Sequence, residues 1–345
     1  MLIPKPPHKF NNLLELVQAY SVFQKTPDCW EFGYNNGRDW EKLGMVTAHH
    51  AKLLQELETE LKRYLSFETI QKRIQLNPGN MKDSETFVNA MKAIREILAP
   101  KNNNAKNKFP QAVWSDEKEM WPLYGAGDLT GFICGLSPIF GIVTTGVHLN
   151  LYKPDGDDPE KYTIYVARRS DEKSTFPGAY DQCAAGGYQY SNASYGLFND
   201  KSARECLGRE VKEELTTSLS AGWLKEATSA PPIQYAFVRD ERWGEAFINA
   251  PEFGVKIPFD LEVAVDPVFK LNPQEVKIIE PKTVKEIIEI LLQDKFKPNS
   301  ALVMIDFLIR HGCLEKFATT EGIQQMIKIL QTHTVVNQLP HWNGI

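Results

Sequence analysis

Glu210, Glu213 and Glu214 stand together in "SARECLGREVKEEL", Ser202 to Leu215. On a helix, their spacings of three and four put them on one face, where like charges repel by roughly 0.2–0.5 kcal/mol per pair. Such a face is either simply solvated, the ordinary state of acidic runs on surface helices, or it surrounds something positive. Three carboxylates suit Mg²⁺ or Mn²⁺, hard cations that prefer oxygen ligands. A metal held there would neutralise phosphate charge and lower the pKa of an attacking water. Arg209, one turn before Glu213, could orient a carboxylate through a bidentate hydrogen bond. Upstream, Gly186 and Gly187 in "DQCAAGGYQY" suit a tight turn or the close approach of a phosphate.

Other side chains have two readings each. Arg168, Arg169 and Lys173 in "ARRSDEKST" could hold phosphates by charge-assisted bonds, or form a solvated basic loop. Asp181 and Gln182, just before the glycines, could contact a base or a phosphate, or shape a turn. His49, His50, His148 and His311 show no metal-ligand spacing and receive no catalytic role.

The elements that must position these residues are legible. Ser202 and Glu205 spell a capping box, S-x-x-E, at the start of the acidic helix. Ala203, Leu207, Val211 and Leu215 recur every four residues, with Cys206 beside them, as a buried stripe. "VHLNLY" (Val147 to Tyr152) alternates, and "YTIYVARR" (Tyr162 to Arg169) follows a turn, so the two are expected to form a hairpin. Further strands are expected at Ile233–Val238, Asp260–Val265 and Val276–Ile279. Helices are expected over Thr283–Asp294, with a Thr283-x-x-Glu286 box, over Ser300–Arg310, ended by Gly312, and over Glu321–His333. The first hundred residues read mainly as helices: Asn12–Lys25, Thr47–Leu65 capped by Thr47, and Ser84–Leu98. "PKNNNAKNKF", Pro100 to Phe109, is a polar loop. Strands interleaved with helices argue an α/β or α+β sandwich.

Bulk properties exclude several classes. The 345 residues suffice for about two domains. A formal net charge of −5 argues against nucleic-acid and polybasic membrane partners. Five scattered cysteines without a C-x-x-C pair read as free thiols in a reducing compartment, the cytoplasm. "MLIPKPPHKF" is no secretory signal, because no apolar core follows its basic residues. Gly131 to Val147 is uncharged, but it is short for a span and is broken by Pro138 and four glycines, so buried strands and loops are expected instead. Asn192-Ala193-Ser194 is a chance glycosylation match without a secretion signal.

These residues are similar to a known family. "AGG" followed by "REVKEE" resembles the Nudix box, G-x5-E-x7-R-E-U-x-E-E-x-G-U, in which U is aliphatic. Arg209, Glu210, Val211, Glu213 and Glu214 match its core. "GVHLNLY", "VARRSDEKSTFPGAYDQCAAGG" and "KPNSALVMIDFLIRHG" resemble the fungal and plant branch related to Nudix domains found fused to thiamine pyrophosphokinase. The resemblance implies a Nudix fold, a mixed sheet sandwiched between helices, at 140–345, preceded by a mainly helical N-terminal extension domain at 1–139. It implies metal-dependent hydrolysis of thiamine diphosphate, or of its oxidised or damaged analogues, to the monophosphate plus phosphate. Glu210, Glu213 and Glu214 would bind Mg²⁺ or Mn²⁺, and Arg209 would orient one of them. Glu275 lies where a late acid occurs in this branch, as general base or extra ligand; an exposed strand-entry glutamate is the ordinary alternative. A thiazolium cation would sit well over Trp114, Trp121 or Tyr124, which could equally be packing residues.

The sequence departs from the box at three places. Gly187 stands 22 positions before Arg209, eight more than the 14 of the motif. The early glutamate falls at Lys201, which cannot ligate metal as a cation. The closing glycine and aliphatic fall at Thr216 and Thr217. Three hypotheses follow: a thiamine-type diphosphate hydrolase, a hydrolase of another diphosphate such as a nucleotide sugar, dinucleotide or coenzyme A, and a ligand-sensing module with a retired site. In each the partner is a small-molecule diphosphate, and the oligomeric state stays open.

Overall fold

The computed structural model describes residues 9–21, 28–99, 109, 120–123, 131–156, 158–173, 175–189, 200, 202–215, 222–240 and 248–331. It mixes helices and sheets throughout. The first part comprises helix α1 (Leu13–Ser21), strands β1 (Trp30–Asn35) and β2 (Trp40–Val46), and helices α2 (Ala48–Gln55) and α3 (Glu58–Leu61). Strands β3 (Leu65–Glu68) and β4 (Arg73–Leu76) and helix α4 (Ser84–Leu98) follow. A small ribbon, β5 (Met120–Pro122) and β6 (Gly131–Ile133), leads to the one-turn helix α5 (Ser137–Phe140).

The expected caps are in place. Thr47 accepts the His50 N–H at the start of α2, and α4 has the bounds that its periodicity predicts. The expected long helix from Thr47 to Leu65 is instead two pieces and the start of a strand. Its leucines are still buried: Leu54, Leu57 and Leu61 are each fully enclosed, and tertiary packing overrides the local helical period. The larger departure is a four-stranded sheet, β2-β1-β4-β3, in a region whose sequence reads mainly as helix. Its strands span only four to seven residues, too short for a clear alternation. A core of Phe32, Phe87, Phe132 and Phe140 holds it against α4.

The second part carries the acidic helix. It comprises β7 (Val143–Lys153), β8 (Thr163–Arg169), β9 (Tyr180–Asp181), β10 (Ala184–Gly187), α6 (Ala203–Leu215), α7 (Trp223–Glu226), β11 (Thr228–Ser229), β12 (Ile233–Val238), β13 (Pro251–Glu262), β14 (Val276–Thr283), α8 (Val284–Leu292), α9 (Pro298–Arg310) and α10 (Thr320–Gln331). The sheet path is β11-β13-β7-β8-β14, with β10 on β7, β12 on β13 and β9 on β8. The expected hairpin pairs Leu151 with Tyr165. β13 runs parallel to β7, Phe253 to Glu262 against Val143 to Tyr152. This strand begins earlier than Asp260, its expected start, and Pro258 inside it hides it from a strand reading.

Alternation splits the sheet residues between two cores. Val147, Leu149, Leu151, Tyr165 and Ala167 pack against the α6 stripe. Tyr152, Ile164 and Val166 face α8 and α9 on the other side. The sheet is therefore covered by helices on both faces, as expected. Each fully buried leucine or valine of the α6 stripe contributes about 1.5–3 kcal/mol to that docking. Helix α1 joins this second core through Leu13, Leu16, Val17 and Tyr20, although it lies within the first 139 residues. Both halves of the Thr283–Glu286 capping box form. Among the described residues, no helix is long and apolar enough to cross a membrane.

Candidate active site

The α6 stripe fixes which face of the helix meets β10. The Glu205 N–H donates to Ser202 Oγ at 3.2 Å, one half of the expected capping box. On β10, the Ala185 N–H donates to Glu214 Oε2 at 3.0 Å. A Cβ on Gly186 would lie 1.8 Å from Glu210 Cδ, so only glycine lets that carboxyl reach the strand. A Cβ on Gly187 would lie 2.2 Å from Trp121 Cη2. The two glycines thus admit a carboxyl and an aromatic ring.

Arg209 binds this assembly together. Its Nη2 donates to the Gly187 carbonyl and to Asp200 Oδ2, both at 2.8 Å, and Nε donates to Asp200 Oδ1 at 3.1 Å. Nη1 donates to Glu210 Oε1 at 2.8 Å and to Glu213 Oε2 at 3.3 Å. The bidentate partner is therefore Asp200, which the sequence reading did not single out, and Glu210 receives a single bond. The residues flanking 190–199 also meet: the Gln189 N–H donates to Asp200 Oδ2 at 3.0 Å, and the Asp200 N–H to the Gln189 carbonyl at 3.3 Å. Lys201, Thr216 and Thr217 lie outside the described residues.

Burial dominates the electrostatics of the acids. It pushes the Glu210 carboxyl up to about 7; Arg209 pulls the other way, while Glu213 and Asp200 add to the rise. Burial, then the neighbouring Glu210, raises Glu214 well above the ordinary carboxylate range. Arg209 only partly offsets the burial of Glu210, and the rise at both acids is what a divalent cation would relieve. Glu213 differs. Its side chain is 45% exposed, it leans on Arg209, and it does not border the cavity. Among the described residues, no group of three or more His, Cys, Asp or Glu is set to hold a metal ion. Glu210 and Glu214 supply two hard oxygen donors that fit Mg²⁺ or Mn²⁺, with the third acid not in place.

A cavity of about 360 Å³ opens beside these acids. Gly186, Gly187, Arg169, Lys173 and Glu275 border it, as does Trp121. Lys173 is ion-paired to Glu275. Glu275 is brought there by the turn at Asn272, whose N–H donates to the Glu214 carbonyl at 2.9 Å. Arg169 is committed to the scaffold: it donates to Asp181, to the Thr175 carbonyl and to the Phe176 carbonyl. Arg168 does not border the cavity and lies over the Tyr180 ring, 4.4 Å from its centroid. Trp114 and Tyr124 lie outside the described residues.

Asp181 and Gln182 are buried supports. Asp181 accepts from Ser300 Oγ at 2.6 Å and from Arg169 at 3.2 Å. Burial alone would raise its carboxyl, but Lys297 and Arg169 outweigh it and hold the group below its ordinary value. Gln182 Nε2 donates to the Ser300 carbonyl at 2.8 Å, which leaves Oε1 facing His148 Nδ1 at 2.7 Å. His148 therefore carries its proton on Nδ1, and burial pushes its pKa down to about 3. Sequence reasoning also missed Lys256, Lys297 and the Arg239–Glu252 pair, all of which border the cavity. The one available signal was Lys256 as a lone charge in the apolar run "FGVKIPF".

The chain is similar to known proteins over about half of its length. The chain is 34% identical over 179 residues to an uncharacterised protein of Saccharomyces cerevisiae, covering 50% of this chain and 48% of the relative. It is 31% identical over 185 residues to Nudix hydrolase 20, chloroplastic, of Arabidopsis thaliana, covering 51% of this chain and 41% of the relative. To Nudix hydrolase 24, chloroplastic, of the same plant it is 28% identical over 185 residues, with 52% and 43% covered. The chain thus spans less than half the length of each of these relatives. No family model matches the chain. With the box core and the mixed sheet between helices, the likeness to the two plant proteins supports the Nudix hydrolase superfamily for this chain.

Proposed function

We propose that this protein is a divalent-metal-dependent Nudix hydrolase that cleaves thiamine diphosphate, or its oxidised or damaged analogues, to the monophosphate and phosphate. The observation that carries the hydrolase reading is the convergence of Glu210, Glu214 and the glycine strand on one cavity that also holds basic side chains. Glu210 and Glu214 would hold Mg²⁺ or Mn²⁺, with Glu213 as third acid once it leaves Arg209, and the bound metal neutralises phosphate charge and acidifies an attacking water. Arg209 holds α6 against Gly187 and so keeps the acids on the strand. Glu275 is the candidate base, with Lys173 as its counter-ion. Trp121 supports the thiamine part of the reading, because its ring borders the cavity and aromatic rings attract flat cations. The cytoplasm remains the proposed compartment, in line with five free cysteines.

The test is Glu214→Gln with magnesium and thiamine diphosphate or an oxidised analogue. Phosphate release is expected to fall on the order of 100-fold; undiminished turnover ends the metal-site assignment. A panel of nucleotide sugars, dinucleotides and coenzyme A, ranked by turnover, decides the substrate class. One observation favours a second reading, a ligand-sensing module: the acids are not gathered as three among the described residues, and Arg209 holds Glu210. Tight diphosphate binding without phosphate release in any divalent metal would establish it.

A further inference from the structure

Lys256 is buried in the middle of β13, with 6% of its surface exposed. Its ladder neighbour on β7 is Gly146, and the neighbour of Gly146 on β10 is Gly187. Residues paired directly across strands project to the same side of a sheet. Lys256 therefore reaches over Gly146, where a Cβ would lie 3.0 Å from its Nζ. Lys297, just before α9, borders the same cavity. Neither ammonium has a carboxylate oxygen within 4.0 Å among the described residues.

The nearby acids are already engaged. Glu252 accepts from Arg239 and from the Tyr235 hydroxyl, and Asp181 accepts from Arg169 and Ser300. Lys256 Nζ stands over the Tyr235 ring, 5.9 Å from its centroid. Burial, followed by the charge of Lys297, pushes Lys256 down to about 8. Lys256 is buried and Lys297 half-buried, and two ammoniums that repel each other across one cavity are costly unless an anion completes them.

We propose that Lys256 and Lys297 form an anion subsite that takes a phosphoryl group of the diphosphate substrate. Two ammoniums match a phosphoryl dianion in charge. Lysine acts as a compact point charge, so the subsite attracts a tetrahedral oxyanion without requiring the planar geometry of an arginine fork. The proposal rests on the diphosphate reading of this cavity, yet anion binding here needs no metal and no turnover.

The experiment is calorimetric titration of the full chain with orthophosphate and with pyrophosphate in EDTA. The unmodified protein is expected to bind both, and Lys256→Met and Lys297→Met each to weaken binding about tenfold or more. Melting curves give a second readout. Phosphate should raise the melting temperature of the unmodified protein, and not that of Lys256→Met or Lys297→Met. Equal binding by both variants, an undiminished melting shift in them, or no binding by the unmodified protein overturns the subsite. Lysine-dependent binding without phosphate release from any diphosphate keeps the subsite and removes the hydrolase reading. Turnover with an unchanged kcat/KM in Lys256→Met does the reverse.

Discussion

Arg209 Nη2 donates to the carbonyl oxygen of Gly187 at 2.8 Å, across 22 positions of sequence. With the Ala185 N–H bond to Glu214, this bond ties the acidic helix to the glycine strand, and Asp200 closes the fork from the other side.

Arg209→Ala leaves the side chains of Asp200 and Glu210, 5% and 10% exposed, without their counter-charge. Stability is expected to fall by about 3–5 kcal/mol, as when one partner of a buried ion pair is removed. Denaturant unfolding measures this. Arg209→Lys should recover part of the loss, because it restores the charge without the fork. Unfolding of both variants at the unmodified midpoint would refute the clamp.

Gly186→Ala places a methyl 1.8 Å from Glu210 Cδ. The expected outcome is a loss of about 1–3 kcal/mol from overpacking, together with lost phosphate release, since Glu210 must leave the strand. Gly79→Ala is the control: nothing lies within 4 Å of its Cβ, and a near-neutral effect is expected. If the two variants match in melting temperature and turnover, Gly186 has no special place.

Trp121→Ala separates the thiamine reading from a generic diphosphate reading. Loss of a cation–π contact should weaken thiamine diphosphate binding by about 0.5–2 kcal/mol, while inorganic pyrophosphate binds as before. Titration of both ligands in EDTA decides this. Equal losses would show that the ring shapes the cavity without reading a cation.

His50 predicts an acid-sensitive fold. It is 2% exposed, and burial pushes its pKa from 6.5 down to about 3. The unfolded chain binds a proton at this residue below about 6.5, and the folded chain does not. The contribution of His50 is thus complete above 6.5 and is lost as pH falls toward 3. His148 has the same sign and the same range. Denaturant unfolding between pH 7 and pH 4 should show stability falling with acid, and His50→Gln should flatten the slope. An unchanged slope in that variant would contradict the assignment.

Local signals proved reliable where one element and one period decide the outcome. Ser84–Leu98, Ile233–Val238 and the Thr283–Glu286 box occur as their spacing predicts, because caps and amphipathic stripes act within a few residues. The β1–β4 sheet was not legible, since short strands gain stability from partners distant in sequence. β13 was half legible, because Pro258 and Lys256 interrupt an apolar run that both faces of the protein bury.

The same division holds at the site. The acidic helix, its buried stripe, its cap and the glycine pair follow from local spacing and could be read residue by residue. Which acids share a cavity follows from packing between distant elements. Glu210 and Glu214 turn to β10, whereas Glu213 stays half in solvent. Packing likewise makes Asp200 the partner of Arg209 and brings Lys256 and Lys297 to the border of one cavity. These relations depend on strand register and on which faces of the sheet are covered, quantities that no single window of sequence contains.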